Sequence, residues 1–414
     1  MLRDARCRGG TDAGGGTVRR IMSRWVAAAG AGALLGVLPA VAGPAQAATG
    51  MSACPSGYLC AWSGANGAGS MVKSTTTMAN VYAKSYWNRT GKYSCSSSLP
   101  LGSPGSVYSM GAIGEKIGGF AGEYTAVRSI KIVVTQRECN YAPYPYWQSS
   151  PAPRSSGFGD LNGDRAADIL VRDTAGRLWF LPGNTRGTLV GAGWNAMTAM
   201  VRHGDLTGDG KEDLLARDGA GKLWLYPGNG SGGFVARRLA GAGWNVMTAL
   251  TSPGDLSGDG KVDLLARDGA GKLWLYPGNG SGGFVARRLA GAGWNVMTAL
   301  TSPGDLSGDG KVDLLARDGA GKLWLYPGNG RGGFGARKLV GAGWNAMAAF
   351  ISVGDTTGDG RSDLLTVTNS QYRSQNPQTP GGAGQQISYA ANGRGSLYGP
   401  TWVDNSWFGL HGVS

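Results

Sequence analysis

Histidine is nearly missing, with 2 in 414 residues, and His203 and His411 are isolated. No GxSxG elbow, HExxH pair or Cys/His pairing accompanies them, so the usual carriers of nucleophilic and acid–base chemistry are absent. We read the chain as non-enzymatic. Cysteine is scarce too, at 5, and none lies beyond Cys139, so disulfides cannot hold the C-terminal part. Long apolar runs are limited to Trp25–Ala42. That stretch follows Arg19, Arg20 and Arg24 and ends at Ala45-Gln46-Ala47, a small-x-small cleavage site, so 1–47 reads as an export signal. No stop-transfer charge cluster follows, which leaves no membrane span after cleavage. Met22 is an alternative first residue.

What is abundant is glycine, 75 residues, together with 14 tryptophans and a net charge of +13. The part before residue 48 carries six arginines against Asp4 and Asp12, which leaves +9 for the remainder. Such a balance favours anionic partners such as cell-wall polymers. An exported chain without nucleic-acid motifs is not expected to bind nucleic acid. Glycine and aromatics without long helix-forming runs predict all-β structure.

Three regions follow the signal. Residues 48–140 hold Cys54, Cys60, Cys95 and Cys139, an even number that predicts two disulfides in an exported chain, with the pairing open. Residues 141–156 are proline-rich and read as a semi-rigid linker. From 157 to 414 the chain repeats every 50 residues, and 201–250 differs from 251–300 at five positions. A period near 50 belongs to propeller blades. Four strands are expected per unit, placed in one copy at 296–302, 312–317, 322–326 and 335–340. Five units then predict a five-bladed ring. Residues 387–409 read as a degraded outer half of the last blade, with Trp407 in the place of Trp344. The segment around Gly157–Phe158 is expected to complete that blade.

Each unit opens with a loop such as Asp255-Leu-Ser-Gly-Asp-Gly-Lys-Val-Asp263. Oxygen-bearing side chains occupy positions 1, 3, 5 and 9 (Asp255, Ser257, Asp259, Asp263), and the Lys261 carbonyl adds another. Calcium takes 6–8 oxygen ligands in flexible geometry, whereas transition metals would want His or Cys. We therefore expect structural calcium. Equivalent sets are Asp205, Thr207, Asp209, Lys211 and Asp213; Asp305, Ser307, Asp309, Lys311 and Asp313; and Asp355, Thr357, Asp359, Arg361 and Asp363. The first loop, with Asp160, Asn162, Asp164 and Asp168, has Arg165 where the others have glycine. The alternative is that Asp and Gly merely build an Asx-type turn.

These loops and the unit length resemble the FG-GAP/VCBS repeats of integrin-type propellers, which implies calcium on the loop residues named above. GAGWN and GKLWLYPG resemble five-bladed tachylectin-type propellers, which implies recognition of N-acetylated sugars between blades. Trp194, Trp244, Trp294 and Trp344, with Asn245, Asn295 and Asn345, are candidate glycan-binding residues, since an indole face stacks on a sugar's C–H surface and Asn bonds its hydroxyls; the alternative, favoured for the indoles, is packing between blades. The opening Cys54-Pro-Ser-Gly-Tyr-Leu-Cys60-Ala-Trp-Ser-Gly resembles the secreted metallopeptidase-inhibitor family, which implies a β/γ-crystallin-like Greek-key fold and a peptidase partner. The leading expectation is a secreted, calcium-binding, non-catalytic protein for adhesion or glycan recognition. Its rival is peptidase inhibition, with the repeats as a targeting or scaffold module.

Overall fold

The computed structural model describes residues 50–414 apart from 102, 104–107, 120–125, 135, 140–142, 154–158, 375–380, 408 and 414. The expected export signal and the Gly157–Phe158 segment lie outside the described residues. Among these residues the protein is all-β, with helical pieces limited to 3₁₀ turns of three or four residues.

The cysteine-bearing part forms two sheets. One orders Met71–Ser74, Leu59–Trp62, Ser85–Asn88 and Lys116–Ile117; the other orders Ser109–Gly111, Tyr93–Ser97 and Ser129–Val133. Leu59, Ala61 and Tyr86 of the first pack on Val127 and Ile130. Cys54 is bonded to Cys60 and Cys95 to Cys139, which resolves the pairing left open above. A bridge across a closed loop limits the unfolded chain, and this small core gains from both.

In the repeats, Met247–Gly254, Asp263–Asp268, Leu273–Tyr276 and Arg288–Gly291 form one antiparallel sheet. The second strand reads DLLARD because both of its faces are covered: Leu264, Leu265 and Ala266 are fully buried. The third alternates, with Leu273 and Leu275 buried and Trp274 and Tyr276 half-buried on the other face. Between them Asp268 closes the DGAG turn by accepting from Ala270 N and Lys272 N, and from Trp274 Nε1 at 2.8 Å. The outer strand begins later than expected, at 338 rather than 335 in the next copy. The preceding residues form an isolated Gly328–Phe334 bridge, and the Asn329 side chain holds the turn N–H groups instead of a ladder.

Five such four-stranded sheets occur, as in propeller blades. Apolar clusters join each sheet to the next, through Leu214 with Leu170, Leu264 with Leu215, Leu314 with Leu265, and Leu364 with Leu315. A last cluster joins Ile351 and Leu365 of the fifth sheet to Ile169 and Val171 of the first. The chain end makes the matching connection. Strand His411–Val413 pairs with Ile169–Arg172 and supplies the first sheet with its fourth strand. Trp407 is buried, as Trp344 is.

The proline-rich segment is not a free spacer. Trp147 is buried in the cluster of the first and fifth sheets and donates Nε1 to the Ala167 carbonyl at 2.9 Å. Arg137 donates to Ser406 at 2.8 Å, and Glu138 pairs with Arg177 at 2.7 Å, so the cysteine-bearing part is clamped onto the repeats.

Candidate functional site

The aspartate loops are shaped chiefly by their own backbone. Asp255 Oδ1 accepts from Gly258 N and Asp259 N at 2.6 and 3.1 Å, and its Oδ2 accepts from Gly260 N at 2.7 Å. Asp263, at the start of the buried strand, accepts from Ser257 N at 2.7 Å and, across the hairpin, from Gly278 N at 3.2 Å. The same pattern recurs around Asp213, Asp313 and Asp363. Gly258 has φ 78°, and a Cβ there would stand 2.3 Å from the Gly330 carbonyl of the next sheet, so the loop also fixes sheet spacing. Arg165 takes the left-handed conformation (φ 69°) that glycine takes in the other loops. Among the described residues no group of three or more His, Cys, Asp or Glu side chains converges to hold a metal ion.

Burial nevertheless leaves these carboxylates short of compensation. It pushes Asp213 and Asp263 up to about 6 despite their N–H bonds. Asp168 is pushed up to about 8 by burial, with Arg202 opposing, and its Oδ1 has no partner. Asp313 and Asp363 are raised for the same reason.

The four candidate tryptophans are buried rather than exposed, at 7–8% exposure. This is the packing alternative, because the neighbouring sheet covers each indole. Trp244 lies 4.7 Å from the Tyr276 ring of the next sheet, and Trp194, Trp294 and Trp344 meet Tyr226, Tyr326 and Tyr389 at 4.7–4.8 Å. Each Trp–Asn turn also docks on its own sheet: Trp244 N donates to the Gly221 carbonyl, and Asn345 Nδ2 donates to the Gly319 carbonyl at 3.3 Å. Asn245, Asn295 and Asn345 remain exposed.

Indole edges do reach clefts between sheets. One, of ≈ 410 Å³, is lined by Thr188, Trp194, Tyr226, Asn229, Ser231 and Phe234 among others. Another, of ≈ 650 Å³, combines Trp344, Tyr372, Arg373, Tyr389 and Trp402. Aromatic walls with a few polar groups are the usual make-up of a small-ligand site of this size. Thr188 lines the first. Arg238 and Arg288 stand at the equivalent position in the next units, and their guanidinium groups lie within about 3 Å of where a Cβ on Gly282 or Gly332 of the following sheet would be. At the first pair of sheets the ring of Phe180 takes that place beside Gly232.

One buried group went unnoticed in the sequence. Arg202 and Glu212, both fully buried, pair at 2.6 Å. Glu212 also accepts from Gly159 N at 2.8 Å, and Arg202 donates to the Asp168 carbonyl, tying the second sheet to the first. A signal existed: Arg202 and Glu212 change together to Ser252 and Val262 in the next unit, two of the five differences between the copies. His203 is buried and contacts Ser252 Oγ at 2.7 Å; burial pushes its imidazole down to about 3, so it stays neutral and out of reach of solvent.

Residues 205–266, 255–316 and 305–366 each match the FG-GAP-like repeat model. The repeats resemble the FG-GAP family. Residues 47–96 match peptidase inhibitor family I36. No curated protein matches the chain. Similar solved structures include an Agrocybe aegerita lectin whose recognition of non-reducing terminal N-acetylglucosamine was studied (18% identity, 86% of this chain and 95% of that one, TM-score 0.38). Others are the BP39L lectin from Burkholderia pseudomallei (16%, 70% and 92%, TM-score 0.33) and a protein of unknown function from Bacteroides caccae (10%, 56% and 72%, TM-score 0.28). Both matched families and the inaccessible His203 fit a non-catalytic protein. No helix among the described residues is long and apolar enough to cross a membrane.

Proposed function

We propose that the FG-GAP-like repeats form a closed five-bladed propeller that recognises glycans outside the cell, without catalysis, in clefts between blades. The cleft beneath Thr188 carries this reading, because aromatic edges of Trp194 and Tyr226 flank the hydrogen-bonding side chains of Asn229 and Ser231. Sugars need both, an apolar surface for their C–H faces and polar groups for their hydroxyls. A glycan array probed with the full chain and with Thr188→Arg tests it, since arginine at this position narrows the cleft without removing a core residue.

Calcium belongs to the same reading as a structural ion. The donors fit a hard cation: Asp255, Ser257, Asp259, Asp263 and the Lys261 carbonyl are all oxygen ligands, and a divalent ion would offset the burial cost borne by Asp263. Bound calcium would supply positive charge beside Asp255 and Asp263; the loop residues themselves close the turn and space the sheets. A hundredfold excess of calcium over its Kd is expected to add about 3 kcal/mol per filled loop. EDTA should reverse this shift in thermal midpoint, and a midpoint indifferent to both would remove calcium from the account.

The match of residues 47–96 to the I36 family favours a second activity, inhibition of a secreted peptidase by the disulfide-bonded part. Titrating the full chain against a panel of metallopeptidases checks it: stoichiometric loss of rate is expected with at least one, and unchanged rates throughout would refute it.

A further inference from the structure

The outer parts of the second, third and fourth sheets repeat one cationic arrangement. Arg287 lies 4.2 Å from the centre of the Trp274 ring and donates to Tyr276 Oη at 2.9 Å. Arg237 repeats this on Trp224 and Tyr226 at 4.3 and 2.9 Å, and Arg337 on Trp324 and Tyr326 at 4.2 and 3.3 Å. Each tryptophan is itself held by its Nε1 bond to Asp218, Asp268 or Asp318. Stacking on an indole and one bond to a phenol fix a guanidinium while leaving most of its N–H donors outward. None of the ion pairs among the described residues includes these three arginines, although all are exposed.

The arrangement stops at both ends of this arc. In the fifth sheet Pro400 and Ile387 occupy the positions of the arginine and the tryptophan. In the first sheet Trp179 is buried, and the cation over it, Arg177, is neutralised by Asp173 and Glu138 at 2.6 and 2.7 Å. Edge protection alone needs charge but not an immobilised guanidinium. Three fixed, uncompensated guanidinium groups at one repeat spacing suit a ligand with anionic groups at intervals, where weak contacts add through multivalency.

We propose that this arc binds an anionic polysaccharide, its carboxylate or sulfate groups paired with Arg237, Arg287 and Arg337. The proposal extends the glycan reading; Arg237 adjoins the Thr188 cleft through Tyr226, whereas Arg287 and Arg337 lie on the following two sheets, away from it. The probe is heparin, titrated by tryptophan fluorescence into the full chain at about 50 mM and 200 mM salt. The triple variant Arg237→Gln, Arg287→Gln, Arg337→Gln is expected to bind about tenfold more weakly, from roughly 0.5 kcal/mol per exposed pair, with a shallower salt dependence. Lys73→Gln, Lys84→Gln, Lys92→Gln, with the same loss of charge on the cysteine-bearing part, is expected to bind within about twofold of the parent. An Arg-to-Lys triple, which retains charge and fold, should fall between. Equal weakening of both glutamine triples would overturn the proposal, as would failure of the parent to bind at low salt. Duplex DNA binding as tightly as heparin would overturn the assignment to polysaccharide. Arg287→Gln with Arg337→Gln, both outside the cleft, should weaken heparin binding and leave the pattern on neutral glycans intact, so a failed cleft and a failed arc give different results.

Discussion

Replacing Glu212 with alanine is expected to destabilise the protein by about 3–5 kcal/mol, because Arg202 would be left as a fully buried charge without its partner. The N–H of Gly159 would lose its acceptor as well. The repeat itself provides the control. Arg202→Ser together with Glu212→Val installs the pair present in the next unit, Ser252 and Val262, where no charge is buried. Exchanging a buried ion pair for a packed neutral pair is often close to neutral, so the double variant should recover more than half of the loss. Urea unfolding of the parent and the variants measures this. A double variant as unstable as Glu212→Ala would show that the contacts to Gly159 and Asp168, rather than the charge balance, decide the cost.

Truncation after Leu410 is expected to cost about 3 kcal/mol or more and to promote association. It removes three residues of pairing on the first sheet, each backbone hydrogen bond contributing roughly 1 kcal/mol, and uncovers apolar side chains beneath. The strand Ile169–Arg172 becomes an open edge, and open edges recruit other chains. Gly412→Leu provides a full-length version of the same test, because a Cβ there would stand 2.4 Å from Ile351 Cδ1. Both variants should melt several degrees below the parent, and the truncation should show larger species by size-exclusion chromatography. An unchanged midpoint would mean that the ring is held by its inter-sheet clusters alone.

The repeat period, the strand count and the loop residues were legible because each is a local pattern copied several times. DLLARD reads as a strand in every copy, and the turns carry their glycines openly; that both faces of the strand are covered came only with the structure. Contacts between sheets were harder. His411–Val413 is three residues long, has no apolar alternation and joins a strand some 240 residues earlier, so nothing local marks it. The tryptophans left two readings open for a related reason: glycines precede Trp244 in sequence, but its burial is decided by Tyr276 on another sheet. Arg238 shows the same limit. Its exposed outer strand suggests edge protection or contact with an anionic polymer, whereas its guanidinium reaches toward the Gly282 turn of the next sheet. The contrast with Thr188, readable by aligning the repeats, gains meaning only once the cleft is seen.

Sugar is proposed to bind in the cleft lined by Thr188, Trp194 and Tyr226. The most direct measurement is a glycan array at fixed calcium, comparing the full chain with Thr188→Arg after confirming equal thermal midpoints. The account predicts that the parent marks a defined set of glycans and that Thr188→Arg loses that signal while staying folded. A parent that marks no glycan, or a Thr188→Arg variant that keeps the full pattern, would contradict it.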